Sequence, residues 1–524
     1  RNRLSNFKPM MVKFKEIPKP NGDMRPLGIP TIEDRLIQQC IKQVLEPIAE
    51  AKFHPHSYGF RPNRSTDHAI ARNNKLINMS KLHYVVDIDI KGFFDNVNHA
   101  KLLKQLWTLG IQDKNLICVI SKLLKAEIEG KGIPEKGTPQ GGILSPLLSN
   151  IVLNELDWWI SDQWETFETK HDYTRDIKGR GKSQGHKYRA LRDTGMKEMY
   201  LIRYADDFKI MCRNYKDAQK IFIATKKWLK ERLNLEISKD KSKVINLRRN
   251  ASNFLGLEIR VRQKGKKYVV KSNVSEKAKN KIKDDLTRKI KYIGKNPNAE
   301  TVNMYNATVL GQQFYYSKAT CISKDFYRIG YDLSRVLYNN TRNKGSTKGV
   351  KNKAYKKFYE KFNFKTIYVS GIPLYPIQGV SYRNPLFFTQ EVCNYTELGR
   401  SLIHNKLTQV RMEVLRYIML NPVKGKSEEY NDNRISLYCG QQGVCGITKE
   451  PLEIDNMEVH HIKMISDGGT DEYSNLIFVI KPVHKLIHAT NNEVIEYYRK
   501  ILDLSDSSLK KINKLRKIVG NAVI

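Results

Sequence analysis

The chain has 524 residues, of which 40% are hydrophobic, so it can build buried cores, and its length predicts roughly three or four domains. Its formal net charge is +38, with 92 Lys and Arg against 54 Asp and Glu, which indicates a polyanionic partner, nucleic acid above all. No apolar run approaches the ~20 residues of a membrane span and no signal peptide opens the chain, so we expect neither membrane insertion nor secretion.

The first part of the chain predicts alternating strands and helices. Residues 12–33 form a predicted hairpin around a Pro-Asn-Gly turn, and residues 34–50 an amphipathic helix. Residues 83–90, "HYVVDIDI", are an apolar strand that ends in acids. The glycine-rich turn that opens residues 137–160 leads into an apolar helix, and the polar residues 161–199 predict a loop or an insertion.

The following segments continue this pattern and then change in composition. Residues 199–212, "MYLIRYADDFKIMC", read as strand, turn and strand, and residues 253–271 as a second hairpin. Basic helices follow, and the last ninety or so residues become rich in histidine. The seven cysteines are scattered and odd in number, which favours a reducing compartment. The sequence begins without methionine, so we expect that an N-terminal piece is missing or was processed.

Two adjacent acids, Asp206 and Asp207, stand in the middle of an apolar run. A lone pair of this kind is most often a solvated turn. Here β-type runs flank the pair, and Asp89 ends an earlier apolar strand. Acids at the tips of neighbouring strands can hold Mg²⁺ through carboxylate oxygens, and two such ions activate a 3′-hydroxyl and stabilise a leaving pyrophosphate. The pattern therefore favours a two-metal site over the solvated turn.

Several motifs occur in an order that resembles one family. "KPNGDMRPLGIPTIEDRLIQQ", "SYGFRPNRST", "DIDIKGFFDNV", "GTPQGGILSPLL" and "YADD" resemble a group II intron-encoded reverse transcriptase, and "MYNATVLGQQFYYSKA" resembles its maturase, or thumb, helices. This resemblance implies that Asp89, Asp206 and Asp207 bind two Mg²⁺ ions, that the Ile90 carbonyl can also reach a metal, and that Lys241 protonates pyrophosphate.

The resemblance also implies residues that contact the nucleotide and the primer. Phe94 matches a steric gate against ribonucleotides, although a core aromatic residue is the alternative. Lys19 and Arg25 match cations that clamp the triphosphate, although ordinary surface charge is the alternative for both. Arg61 matches a template or nucleotide contact. Gln140 and Gly141 match the nucleotide-pocket turn, although a plain helix-entry turn is the alternative. Phe254, Leu255 and Gly256 match the primer grip, although a packed hairpin is the alternative.

The C-terminal segment 458–490 carries four histidines in a predicted strand–strand–helix arrangement. His484 and His488 are four residues apart and share one face of the helix. Together with His460 they would hold one divalent ion. His461, on the other face of the strand, would activate water, and the Asn475 amide would orient His461. A lone HxxxH is more often structural, but four histidines with "GG" and "SNL" between them resemble an HNH endonuclease.

This segment departs from one pattern common in such nucleases, a zinc knuckle made of two CxxC pairs. Cys439 and Cys445 alone cannot complete a tetrahedral site, so we predict no structural zinc. Histidine-rich sites accept several metals, so the nuclease ion can be Mg²⁺, Mn²⁺ or Zn²⁺.

We therefore predict a multidomain α+β protein: a right-hand polymerase with fingers and palm, a helical thumb or maturase domain, and a small ββα-metal HNH domain. The predicted boundaries are 1–262 for fingers and palm, 263–375 for the thumb, 376–432 for a DNA-binding region and 433–524 for the HNH domain. The expected partners are intron RNA in a ribonucleoprotein, target DNA and dNTPs, in a bacterial cytoplasm or nucleoid or in an organelle matrix. A splicing-only maturase and a reverse transcriptase of another lineage are the alternatives.

Overall fold

A computed structural model of the chain describes residues 7–18, 24–177, 181–404, 410–502 and 504–524. The chain divides into two compact units, residues 1–390 and 391–524. Each unit has its own apolar core. The boundary at 390 falls inside the predicted DNA-binding region, and the four predicted domain boundaries stay predictions.

Near the start of the first unit, the strand pairing of the predicted hairpin is confirmed, and its Pro-Asn-Gly turn lies outside the described residues. Strands β1 (Lys13–Pro18) and β2 (Met24–Ile29) pair antiparallel, and helix α1 (Ile32–Glu50) follows with Thr31 as its N-cap. Four further helices are α2 (Thr66–Asn78), α3 (His99–Thr108), α4 (Lys114–Leu124) and α5 (Ser145–Asp162).

The central sheet, here called the palm sheet, has four antiparallel strands. Their order is β6-β7-β3-β8, and they are β3 (Tyr84–Ile88), β6 (Met199–Tyr204), β7 (Asp207–Cys212) and β8 (Lys243–Asn246). Nearly every residue of β6 and β7 is buried, which explains why this hairpin reads as a continuous apolar run and does not alternate. Helix α7 (Tyr215–Leu233) connects β7 to β8.

The polar residues 161–199, predicted as a loop or an insertion, are in part regular structure. They contain β4 (Arg175–Ile177), β5 (Gly181–Ser183) and α6 (Gly185–Asp193). Two apolar side chains anchor this polar segment: Tyr188 stacks on the buried Trp164, and Leu191 is buried.

The rest of the first unit is a second sheet followed by long helices. The sheet has the order β11-β10-β9 and contains β9 (Ser252–Phe254), β10 (Leu257–Lys264) and β11 (Lys267–Val274), which confirms the second hairpin. The helices are α8 (Glu276–Lys295), α9 (Ala299–Tyr316), α10 (Ile322–Thr341) and α11 (Lys353–Tyr359). Three two-residue strands precede or follow α11 along the chain, and they are β12 (Gly345–Ser346), β13 (Tyr368–Val369) and β14 (Ile372–Pro373).

The second unit surrounds one short hairpin with helices. Strands β15 (Glu458–His461) and β16 (Leu476–Val479) pair antiparallel, and α15 (Lys481–His488) follows, which is the strand–strand–helix order predicted for this segment. The remaining helices are α12 (Glu397–His404), α13 (Met412–Leu420), α14 (Glu428–Gly440), α16 (Asn492–Ile501) and α17 (Asp506–Ile518). In the described part of the chain, every helix is too short or too polar to serve as a bilayer span.

Candidate active sites

The three aspartates predicted to bind metal come together at one edge of the palm sheet. Strand β3 pairs with β7 so that Ile88 lies opposite Phe208. Asp89 is the next residue after Ile88, and Asp207 comes just before Phe208, so the register brings Asp89 beside Asp207. Asp206 lies in the two-residue turn between β6 and β7.

The electrostatics of this edge suit a divalent cation. Burial raises the pKa of Asp207 to about 6; Lys209 opposes this rise, and the nearby carboxylates add to it. Those carboxylates belong to Asp87, Asp89 and Asp206. Carboxylate oxygens are the ligands that Mg²⁺ prefers, and a bound cation offsets their mutual repulsion. The residues present therefore fit the predicted Mg²⁺ ions.

Asp89 is held by the segment that leads into β8. The Lys241 ammonium lies 3.4 Å from Asp89 Oδ2, and the Ser242 hydroxyl accepts a hydrogen bond from the Asp89 N–H. Ile90 lies opposite Ile237 in an antiparallel bridge. The two hydrogen bonds of this bridge are made by the residues on either side of Ile90 and Ile237, not by Ile90 itself. In such a pair the backbone groups of Ile90 point away from residue 237, which is the direction of β7 and the carboxylates.

The acidic turn is supported from behind by a buried ion pair that the sequence patterns did not indicate. Arg203 donates to the Ala205 carbonyl in the turn and to Asn150, and its guanidinium contacts the Asp157 carboxylate at 2.6–3.0 Å. Both charged side chains are fully buried. Gly59 packs against the other side of the turn, where a Cβ would lie 2.2 Å from the Ala205 nitrogen. The sequence feature that could have indicated this ion pair is Asp157, an acidic residue inside an apolar helix.

Phe94 occupies a half-buried position close to these acids along the chain. It follows the buried Phe93, and its ring packs edge-on against Phe93 and against the exposed Phe60. The partial exposure distinguishes Phe94 from the core residue Phe93, and the assignment of the gate to Phe94 stays a prediction.

The predicted nucleotide-pocket turn contacts the first hairpin through its backbone. The Gln140 carbonyl accepts a hydrogen bond from the Gly28 N–H at 2.9 Å. Gly141 has a φ of +125°, and a Cβ there would lie 2.6 Å from the Gly28 carbonyl oxygen. Glycine is therefore required at 141 by both conformation and space. Beside this contact, a cavity of about 340 Å³ is lined in part by Phe14, Asp95 and Gln140.

The three predicted cations of the nucleotide site have different outcomes. Lys19 lies outside the described residues, and only the backbone of Arg25, in β2, is described. Arg61 is buried, and its guanidinium bonds to Glu50 and to the carbonyl of His54. These contacts favour a structural role for Arg61 over the predicted contact with template or nucleotide.

The predicted primer grip lines a cavity that Asp207 also borders. Phe254, Leu255 and Gly256 border a cavity of about 550 Å³ whose lining includes Asp207. Leu255 and Gly256 form the tight turn between β9 and β10, both with positive φ. Tyr315 of α9 donates to the Leu255 carbonyl, so the turn is tied to the long helices.

In the second unit, three histidines converge as predicted for one metal ion. Ligand nitrogens of His460, His484 and His488 all lie within 4.8 Å of one another. Nε2 of His460 is buried and has no hydrogen-bond partner among the described residues. Burial and the neighbouring imidazoles lower the pKa of His460 to about 3, so its ring is neutral. Glu458 accepts from Nδ1 of His484 at 2.6 Å, which leaves Nε2 for a metal. This donor set fits one divalent ion.

The fourth histidine has a different partner from the one predicted. His461 Nε2 bonds to the Asp471 carboxylate at 2.8 Å, and the ring stacks on Tyr430. The Asn475 amide does not orient the His461 ring in this structure. It bonds instead to the backbone of Lys463 and to the Thr470 carbonyl, because it closes the loop between the two strands. Asp471, ten residues after His461, had no distinguishing signal in the sequence.

Comparisons with known proteins match a family model to part of each unit. The family model "Reverse transcriptase (RNA-dependent DNA polymerase)" matches residues 17–293, and the model "HNH endonuclease" matches residues 438–489. The chain belongs to the reverse transcriptase family. The predicted resemblance to reverse transcriptases with an HNH domain is confirmed, as is the multidomain α+β class.

Individual relatives agree with this assignment. The chain is 33% identical to Protein YkfC of Escherichia coli over 52% of this chain and 74% of that protein. It is 34% identical to the Group II intron-encoded protein LtrA of Lactococcus lactis over 49% of this chain and 48% of LtrA. It is 29% identical to the Putative COX1/OXI3 intron 1 protein of Saccharomyces cerevisiae over 50% of this chain and 34% of that protein. The matches thus span about half of LtrA and a third of the yeast protein.

A telomerase structure from Candida tropicalis has a TM-score of 0.37 at 16% identity, over 64% of this chain and 62% of that chain.

Proposed function

We propose that this chain is the multifunctional protein of a mobile group II intron. It would copy intron RNA into DNA from a nicked target end, help the intron RNA to fold and splice, and nick target DNA with its HNH domain. The observation that carries this proposal is the convergence of Asp89, Asp206 and Asp207 in a reverse transcriptase whose HNH match contains a three-histidine cluster.

The polymerase chemistry follows from the acidic edge of the palm sheet. When bound, two Mg²⁺ ions lower the pKa of the primer 3′-hydroxyl and neutralise the leaving pyrophosphate. Asp89, Asp206 and Asp207 would hold them, with the Ile90 carbonyl as a further ligand. Lys241, whose ammonium lies 3.4 Å from Asp89, would donate a proton to the pyrophosphate.

Substrate selection would use the surfaces around those acids. The half-buried Phe94 ring would press against a ribose 2′-hydroxyl and so favour dNTPs. The backbone of Gln140 and Gly141 would form one wall of the nucleotide pocket, with Lys19 and Arg25 as clamps for the triphosphate. The turn of Phe254 to Gly256 would hold the primer end in the cavity that it borders with Asp207.

The nuclease chemistry follows from the histidine cluster. When bound, one divalent ion, Mg²⁺, Mn²⁺ or Zn²⁺, polarises the scissile phosphate. His460, His484 and His488 would hold that ion, without a structural zinc elsewhere. His461 would take a proton from water. The Asp471 carboxylate, 2.8 Å from Nε2, would fix the tautomer in which Nδ1 accepts that proton and would stabilise the imidazolium that results.

The partners follow from charge and family. A net charge of +38 suits intron RNA and target DNA, and binding should weaken steeply with salt because phosphate contacts release counterions. LtrA is a bacterial relative and the COX1/OXI3 intron 1 protein a yeast one. We propose that this chain acts in a bacterial cytoplasm or nucleoid, or alternatively in an organelle matrix, and these relatives support that proposal.

Recovery and sequencing of the RNA that co-purifies with the protein from its host tests the proposal. We expect enrichment of one group II intron RNA, including its lariat, and the same RNA with the variant Asp206→Ala. On an artificial template, wild-type protein should extend a primer and the variant should not. RNA of another type would support a reverse transcriptase of another lineage. Intron RNA with no extension by the wild type would support a splicing-only maturase.

A further inference from the structure

Behind the polymerase acids, a lysine and an aspartate lie opposite each other on neighbouring strands. Asp87 of β3 pairs with Lys209 of β7 in the sheet register. Side chains alternate along a strand, so Asp87 shares a face with Asp89, and Lys209 shares a face with Asp207. At about 3.4 Å of rise per residue, the pair of charges stands roughly 7 Å along the strands from the acids.

The pair is buried and reaches the strand that leads to the primer grip. Lys209 Nζ lies 2.8 Å from Asp87 Oδ2, with 2% of the lysine side chain and 18% of the aspartate side chain exposed. The Ser252 hydroxyl on β9 donates to the same carboxylate oxygen at 3.0 Å. The Lys209 ammonium also lies 5.3 Å from the ring of Phe254. The pair therefore contacts both the strands that carry the acids and β9, which leads into the primer grip.

We propose that Asp87 and Lys209 are positioning residues that set the affinity of the polymerase acids for their metal ions. This inference rests on the proposed polymerase function. As an intact pair the two charges largely cancel at the acids. Removal of one partner leaves a unit charge roughly 7 Å away in a half-buried site, where screening by water is weak. An unpaired Lys209 would repel a divalent cation, and an unpaired Asp87 would attract it.

A purely structural pair makes a different prediction from a pair that tunes metal binding. Loss of either partner leaves a buried charge without its counterion, so both single variants lower the melting temperature in either case. Only the electrostatic role moves metal affinity in opposite directions for Asp87→Asn and Lys209→Met. The isosteric double variant removes both charges, and it should restore metal affinity and recover much of the melting temperature.

The experiment measures Mn²⁺ binding by electron paramagnetic resonance, without nucleotide or nucleic acid. The full chain carries His484→Ala and His488→Ala, so that the nuclease site does not contribute. The measurement is made at pH 8. We expect Asp87→Asn to weaken binding about tenfold, about 1.4 kcal/mol, Lys209→Met to tighten it about tenfold, and the double variant to lie within about twofold of the parent.

Two outcomes overturn the inference: the single variants shift Mn²⁺ affinity in the same direction, or neither shifts it while their melting temperatures fall. The variant Asp207→Asn separates this failure from failure of the proposed function. If Asp207→Asn loses the ion and the pair variants leave affinity unchanged, the metal site stands and only the tuning role is wrong. If Asp207→Asn keeps full binding, the assignment of the metal site is itself wrong.

Discussion

Replacement of Asp157 by alanine should destabilise the first unit and impair polymerisation together. In the wild-type protein, Arg203 is fully buried and its guanidinium makes three contacts of 2.6–3.0 Å with the Asp157 carboxylate. Without that carboxylate, a buried cation loses its counterion. The cost of such a loss is about 3–5 kcal/mol in the free energy of unfolding. The same guanidinium donates to the Ala205 carbonyl, so movement of Arg203 would displace the acidic turn.

The assay has two readouts on the full chain. Denaturant unfolding, followed by tryptophan fluorescence, should report the first unit, which contains all five tryptophans, and its transition should move to lower denaturant in Asp157→Ala. Primer extension, measured well below that transition, should also fall, because the turn is no longer held. Glu231→Ala is the matched control: it breaks the exposed pair with Lys227, and pairs of that kind contribute about 1 kcal/mol or less.

The reasoning would be refuted if Asp157→Ala unfolded at the same denaturant concentration as Glu231→Ala. A variant that unfolded early but extended primers normally below its transition would separate the two claims. In that case the pair would stabilise the fold without positioning the turn.

The other predictions concern the proposed reactions. Asp206→Ala should abolish primer extension, by at least about a hundredfold, and leave intron RNA binding and splicing nearly unchanged; normal extension would remove the two-metal assignment. Phe94→Ala should raise incorporation of ribonucleotides in a competition assay, and unchanged sugar discrimination would reject the gate. His461→Ala should stop cutting of target DNA while extension on a pre-nicked substrate survives, and persistent cutting would mean that another group is the base. Because the pKa of Asp207 is raised to about 6, protons should compete with Mg²⁺ below that pH, so the Mg²⁺ concentration for half-maximal extension should rise as pH falls from 7 to 5.5, and a flat profile would contradict the assigned pKa.

The parts of these sites that could be predicted from the sequence are those set by local pattern. Asp89 ends an apolar strand and the acids 206–207 interrupt a hairpin, so strand periodicity was enough to expect that they meet. His484 and His488 were assigned to one helix face by their spacing, and the structure brings both beside His460.

The missed residues depend on contacts that spacing does not encode. Arg203 and Asp157 are 46 residues apart, and each alone is a charged residue in an apolar run. His461 and Asp471 meet across a loop whose path the sequence does not determine. Asn475 was expected to orient His461, but an amide has both donors and acceptors, and the backbone of the loop satisfies them first.

Each candidate site brings groups of the same kind together, carboxylates in one and imidazoles in the other. In each site the pKa of one group is shifted so that its neutral form is favoured, which lowers the repulsion between them. Burial and neighbouring acids favour the neutral form of Asp207, and burial and neighbouring imidazoles favour the neutral form of His460. The consequences for metal binding are opposite. Neutral imidazole is the ligating form, so His460, with a pKa of about 3, is ready for a cation at any pH above about 4. Neutral carboxyl is not the ligating form, so Asp207 must lose its proton first. Acidification from pH 7 to 5.5 should therefore weaken metal binding at the polymerase site, while His460 stays in its ligating form.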